Sequence, residues 1–217
     1  MKKALIFYGG WEGHTPKETA HCFRQILEAA DFEVTMSDSL SCLDVYEDIT
    51  QYDLFVPVWT MGTITGKQCL NICKAVEAGA GIAGCHGGMC DSFRENTEWQ
   101  FMTGSQWVAH PGNATAVYDV YIKSDSPLVA GMENFTVQSE QYYIHVDPAV
   151  QVHATTKFPV VDGPFAANGE VQIPVVYTKF WGKGKVYYNS LGHTANMFDQ
   201  YPVMAEMMRR GFLWASR

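Results

Sequence analysis

Residues 79–91 read Gly-Ala-Gly-Ile-Ala-Gly-Cys-His-Gly-Gly-Met-Cys-Asp, and no other stretch restricts the backbone so tightly. The apolar run from Ile82 to Cys85 has the length and character of a buried strand, and two glycines follow His86 before any helix could begin. The chain must therefore turn sharply at His86. Gly84-Cys85-His86-Gly87-Gly88 has the Gly-x-Nu-x-Gly spacing of a strand-to-helix elbow, in which small neighbours let a strained turn hold one side chain at the carboxyl edge of a sheet. Successive strand residues face opposite sides, so Cys85 is expected in the core and His86 in the cleft. Taken alone, the motif fits a plain Gly-rich turn after a core strand equally well.

The flanking sequence supplies the sheet that such an elbow needs. Residues 4–8, 32–36 and 54–59 are apolar runs of the kind buried in a parallel sheet. Pro57 marks the third as ending or lying at an edge. Thr15-Pro16-Lys17-Glu18 predicts a helix start with a hydroxyl cap, and Ala20, Phe23, Ile26, Leu27 and Ala30 form its buried face. A second helix begins at Thr65-Gly66-Lys67-Gln68, turns Leu70, Cys73 and Val76 inward, and stops at Gly79. This alternation predicts a doubly wound, mostly parallel α/β sheet with helices on both faces. Ligands collect at the carboxyl ends of such strands, where the loops at 9–14, 60–63 and 86–91 would meet.

The second half differs in kind. It predicts a short helix over 96–102 carrying Trp99 and Phe101, strands over 117–122 and 150–155, and an antiparallel hairpin whose arms, 174–181 and 185–191, flank Gly182-Lys183-Gly184. A last helix from Pro202 is expected to turn Val203, Met207, Met208, Leu213 and Trp214 inward. With no repeat or linker in view, residues 1–217 are expected to form a single domain.

A net charge of −8 with only 15 Lys and Arg argues against nucleic acid as a partner. The apolar run after Lys3 stops at Gly9-Gly10, too short for a secretory segment or a membrane span, so a cytoplasmic protein with no membrane partner is expected. The six cysteines read as reduced, and Cys69 with Cys73, one helical turn apart, reads as the core face of a helix rather than a metal pair.

Of seven histidines, His21 and His153 read as structural and His145 fits either role. His14, His86, His110 and His193 lie in loop-like stretches near strand ends. Imidazoles with a carboxylate suit a Zn²⁺ or Mn²⁺ ion, or metal-free acid–base catalysis with an oxyanion donor. No compact His-x-x-x-His run occurs, so any metal set must be assembled by the fold. Trp11, Trp59, Trp181 and Tyr142 offer flat surfaces for sugar rings, although most aromatics must be core. Glu140, before Tyr142-Tyr143, reads from the residues alone as a surface charge on an edge strand. Burial beside those rings would raise its pKa towards that of a useful base.

The opening Gly-Gly-Trp-x-Gly-His-Thr, the Gly-x-Ala-Gly-Cys-His-Gly-Gly elbow, Glu140-Gln141-Tyr142-Tyr143 and the run from Phe180 to Thr194 together resemble the ThuA-like (trehalose utilisation) family, from Lys3 to Trp214. The family sits in the class I glutamine amidotransferase-like superfamily, which implies a flavodoxin-like sheet. This chain departs from the amidotransferase pattern twice. His86 stands where those enzymes present a nucleophilic cysteine, and His193 is followed by Thr194-Ala195 instead of reaching a carboxylate two places on, so thioester chemistry loses both nucleophile and orienting acid.

The resemblance implies carbohydrate metabolism on sugars already oxidised to the 3-keto form. A ketone at C3 acidifies the hydrogen at C2; Glu140 or a histidine would remove it, and a metal or imidazolium near His86 and His193 would hold the enediolate. Reprotonation isomerises the sugar, whereas loss of the C1 oxygen cleaves the glycosidic bond. With the resemblance, His86, Glu140 and His193 are the expected catalytic residues. Trp11, His14, Trp59, His110, Tyr142 and His145 are the expected substrate contacts, and His14, His86 and His193 the expected metal ligands. No nucleotide cofactor is expected; a small carbohydrate is the expected partner, and a homodimer fits the family. Two other readings stand beside this one: a non-catalytic carbohydrate-binding or regulatory protein, and a cysteine-dependent hydrolase using Cys85 or Cys90.

Overall fold

The computed structural model describes residues 1–123 and 125–217. In chain order, the first half comprises β1 (Lys2–Gly10), α1 (Pro16–Glu28), β2 (Phe32–Ser37), the short α2 (Tyr46–Ile49), β3 (Leu54–Thr60), α3 (Gly66–Glu77), β4 (Gly81–Cys85), the one-turn α4 (Gly87–Cys90) and α5 (Thr97–Thr103). There follow β5 (Ser105–Ala109), β6 (Val117–Ile122), β7 (Phe135–Gln138), β8 (Tyr143–Val146), β9 (Gln151–Phe158), β10 (Val171–Trp181), β11 (Gly184–Asn189), α6 (Met197–Gln200) and α7 (Pro202–Ala215).

Nine strands form one sheet in the order β2-β1-β3-β4-β11-β10-β9-β6-β7, and β5 pairs separately with β8. From β2 to β11 every pairing is parallel, in the flavodoxin-type order with β11 as fifth strand; from β11 outwards every pairing is antiparallel. The antiparallel part is thus wider than the predicted hairpin, because β9, β6 and β7 continue it. Hairpin pairing runs from Val176–Asn189 to Trp181–Gly184, with Gly182 at φ 58 in the turn.

Alternation along β1 explains its unbroken apolar run. Ala4 and Ile6 join Ala20, Phe23 and Leu27 of α1 and Met204, Met207, Met208 and Phe212 of α7 on one face. Leu5 and Phe7 join Cys69, Ile72, Cys73 and Val76 of α3 and Trp99 and Met102 of α5 on the other. A strand covered on both sides has no polar face to show.

Several expectations need correction. Thr15 does not cap α1: it sits in the left-handed region (φ 46, ψ 54) without a side-chain cap bond, and its Oγ1 accepts from Ala195 N at 2.9 Å. The hydroxyl ties the loop after β1 to the loop after β11. The capping box forms instead at Thr65 and Gln68 of α3. Pro57 is not at an edge, since β3 lies between β1 and β4; the β3–β4 ladder covers only Leu54 and Phe55, so Pro57 sits where that ladder has already ended. Leu70, Phe101 and Leu213 face solvent, at 52%, 60% and 39% exposure. Met204, Gly211 and Phe212 take the inward positions on α7 that Leu213 was expected to share. Among the described residues no helix is long and apolar enough to cross a membrane.

The two faces of α3 should respond differently to truncation. Ile72→Ala is expected to cost about 2–5 kcal/mol in urea unfolding, whereas Leu70→Ala should stay within about 0.5 kcal/mol.

Candidate functional site

The elbow is built as its spacing requires. His86 follows β4 at φ 47, ψ −139, a strained conformation for a residue with a Cβ, and α4 starts at once. Its neighbours must be small. A Cβ on Gly84 would lie 2.8 Å from Met89 Cβ, and one on Gly87 would lie 2.6 Å from Cε1 of His14. Cys85 points into the core beside Leu191 and Phe198, and burial pushes its thiol well above the ordinary range. Cys90 is likewise buried, with its thiol pushed up by burial and Tyr188 Oη donating to it at 2.7 Å. Neither cysteine is a nucleophile facing the cleft.

Four loops from remote parts of the chain meet His86. The 3-10 turn Glu12–His14 after β1 brings His14, whose Nδ1 is 2.8 Å from Thr60 Oγ1 at the end of β3. The segment between β7 and β8 brings Glu140, its backbone carbonyl accepting from Tyr118 Oη at 3.1 Å. The loop after β11 brings His193, and the loop after β5 brings His110.

The result is one buried carboxylate oxygen ringed by imidazole nitrogens. Glu140 Oε2 lies 3.2 Å from His86 Nε2, 3.2 Å from His193 Nδ1 and 3.7 Å from His14 Nε2, while Oε1 lies 3.8 Å from His110 Nε2. One donor atom each from His14, His86, Glu140 and His193 falls within 4.8 Å of all the others, a group able to hold a metal ion.

Proton bookkeeping sharpens this geometry. His86 Nδ1 is 2.8 Å from the carbonyl oxygen of Ser190, which can only accept, so Nδ1 carries the hydrogen. Burial pushes the His86 pKa down to about 3, reinforced by His14, against the opposing pull of Glu140. With Nδ1–H committed to Ser190, the neutral ring offers Nε2 as a ligand atom, and only the protonated ring can donate from Nε2 to Glu140 Oε2, 3.2 Å away. Burial works to raise the Glu140 pKa, but His14, His193 and His86 outweigh it and hold the carboxyl well below its usual range. This overturns the expectation of a raised pKa and makes Glu140 a poor base and a good anionic ligand. His193 Nδ1, although close to Oε2, is buried without a hydrogen-bond partner.

Tyr142 stacks on His86 with centroids 3.8 Å apart, and Trp11, 46% exposed, stands edge-on 4.7 Å from His14. His110 stacks against Tyr142 at 6.1 Å, next to Trp107, which also carries the Arg94 guanidinium over its ring. Two of the expected contacts, Trp59 and His145, and the candidate platform Trp181 have other neighbours. Trp59 occupies the space beside Gly9 and Gly62, Trp181 packs on Phe101, and His145 is exposed on β8 in a groove with Phe101 and Asp147. His153 is buried and bonded to Thr178 Oγ1 at 2.9 Å, a structural role. Sequence reasoning did not single out Thr60, Tyr118 or the carbonyl of Ser190. Thr60 is a polar residue ending an apolar strand and could have been noticed; a backbone carbonyl leaves no mark in a sequence.

Fold and site together define a flavodoxin-order α/β protein with a histidine and carboxylate cluster at the carboxyl edge of its parallel strands. The sequence profile of the ThuA family, described as trehalose utilisation, matches residues 3–215, and the chain belongs to that family. No curated protein matches the sequence. Similar solved structures include a ThuA-like protein from Parabacteroides merdae ATCC 43184 (17% identity, TM-score 0.78, covering 99% of this chain and 89% of that one). Another ThuA-like protein, from Bacteroides uniformis ATCC 8492, shares 15% identity at a TM-score of 0.74 over 99% and 91% of the two chains. A protein described as cytoplasmic, from Salmonella typhimurium LT2, shares 13% identity at 0.68 over 99% and 100%.

Gly87 can test the packing of His14 against the elbow. Gly87→Ala is expected to destabilise by about 1–3 kcal/mol and to shift the His14 ring resonances by NMR. Gly66→Ala, where an added Cβ meets nothing within 4 Å, should leave those resonances in place and stabilise by about 0.4–1 kcal/mol.

Proposed function

We propose that this chain is an enzyme of carbohydrate metabolism that holds a divalent metal ion on His14, His86, Glu140 and His193 and acts on 3-keto sugars by removing the proton next to the ketone. The observation that carries the metal assignment is the spacing of donors around Glu140 Oε2. A tetrahedral site with metal–ligand bonds of 2.0–2.1 Å has edges of roughly 3.3–3.4 Å. The three edges that meet at Glu140 Oε2 are 3.2, 3.2 and 3.7 Å, and all four donor atoms lie within 4.8 Å of one another. Octahedral Mn²⁺ has adjacent edges of similar length, so Zn²⁺ and Mn²⁺ both fit.

Hydrogen bonds to the outer nitrogens of two ligands support the same reading, because the Ser190 carbonyl fixes the tautomer of His86 and Thr60 orients His14. A bound ion would polarise the sugar carbonyl and stabilise the enediolate. The protein's own contribution is positional. Glu140 is already engaged by imidazoles, so proton transfer falls to a histidine, and His110 is the partly exposed one on the side of Tyr142. Trp11 supplies an exposed aromatic edge beside His14 for a sugar ring. Family membership supports a carbohydrate as substrate; the buried, high-pKa cysteines argue against an amidotransferase or thiol hydrolase. The same reading places the protein in the cytoplasm, with a small carbohydrate as partner and neither nucleic acid nor membrane.

Elemental analysis of protein purified without chelator is expected to find about one equivalent of Zn or Mn. His193→Ala and Glu140→Gln should each weaken binding at least as much as loss of an outer-shell partner does, about 10–100-fold. With a 3-keto glucoside as substrate, hydrogen exchange with solvent at C2 is expected in the native protein and should vanish in folded His86→Ala and Glu140→Gln. Exchange that survives both changes would refute the assignment.

A further inference from the structure

A second constellation lies away from the carboxyl-edge cluster, on α3. Cys69 and Cys73 are both buried, one helical turn apart, with their Sγ atoms 3.9 Å from each other. Asn96 Oδ1 lies 3.4 Å from Cys69 Sγ. A cavity of about 250 Å³ opens beside all three and is also lined by Gly66, Leu70 and Glu98. The catalytic proposal uses none of these groups.

A sulfur–sulfur separation of 3.9 Å is nearly twice the 2.03–2.05 Å of a disulfide, so the pair is reduced. As thiols the two form a hydrogen-bonded chain in which Cys69 Sγ donates to Asn96 Oδ1, and both belong to the core on that face of the sheet. The same spacing suits a cation that replaces the thiol protons. With Zn–S bonds near 2.3 Å, a tetrahedral centre separates two sulfurs by about 3.8 Å and a sulfur from an oxygen by about 3.6 Å. The observed 3.9 and 3.4 Å bracket those values. Asn96 Oδ1 already accepts from Trp99 N at 2.9 Å as the cap of α5, and a carbonyl oxygen has a second lone pair to give.

We infer that Cys69, Cys73 and Asn96 form a binding site for a thiophilic d10 cation, Zn²⁺ or a softer congener such as Cd²⁺, with water from the adjoining cavity as the remaining ligand. Binding forms two metal–thiolate bonds and releases both thiol protons to solvent, so a neutral dithiol takes up a dication without leaving net charge on the pair.

The test is a titration of the reduced, full-length protein with Cd²⁺, following thiolate-to-cadmium charge-transfer absorption in the ultraviolet. The His and Glu cluster contains no sulfur and gives no such band, so this inference and the catalytic proposal can fail independently. The expected result is a band that saturates with about one thiolate-bound Cd²⁺ per chain, with release of about two protons in weak buffer. It should persist in Cys22→Ser/Cys42→Ser and disappear in Cys69→Ser/Cys73→Ser, and Asn96→Asp, which keeps both the cap and the oxygen, should retain it. A native protein without the band, or a band that survives Cys69→Ser/Cys73→Ser, would overturn the site. The first of these needs no variant, so a misfolded double mutant cannot shield the idea.

Discussion

A carboxylate withdrawn from water must be met by positive charge or by a full set of donors, and around Glu140 that role falls to four imidazoles. The imidazole closest to it with an assigned tautomer, His86, has its hydrogen committed to Ser190 on the far side. What Glu140 Oε2 meets is a set of ring nitrogens at 3.2–3.7 Å, one of them without any hydrogen-bond partner. This frustration organises the surrounding structure. The strained His86 backbone, the left-handed Thr15 and the tyrosine that anchors the Glu140 carbonyl all serve to hold groups that would otherwise separate.

The parallel half of the sheet was legible because its signals are local and mutually consistent. An apolar run covered on both faces, as in β1, and a glycine-flanked elbow at His86 each have one economical reading. The misjudged residues share a different cause. Leu70 and Leu213 are apolar residues on helices expected to turn inward, but an apolar residue type alone does not say how wide the buried stripe is; Phe101, two residues from the buried Trp99, faces the other way. Thr15 has the composition of a cap, yet a contact with Ala195, far along the chain, claims its hydroxyl. Pro57 lies past the end of the β3–β4 ladder, which stops at Phe55, so of the two readings of that proline the ending holds and the edge does not.

The candidate site was legible as a list and not as a geometry. His14, His86 and His193 could be guessed from loops that share a sheet edge. Glu140 needed the family resemblance, because it comes from the antiparallel extension, whose path no periodicity specifies. Its electrostatics were misjudged for the same reason: burial by aromatic rings argues for a raised pKa, and only the structure shows that imidazoles surround the carboxylate and reverse the sign. His145, exposed on β8 beside Phe101 and Asp147, and Trp59, packed against Gly9 and Gly62, are suitable residue types near strand ends whose surroundings only the structure reveals.

The hydrogen bond from Ala195 N to Thr15 Oγ1 joins loops that carry His14 and His193, near opposite ends of the chain. His193 follows β11, so all four side chains of the cluster exist together only in a chain that has been made past residue 193.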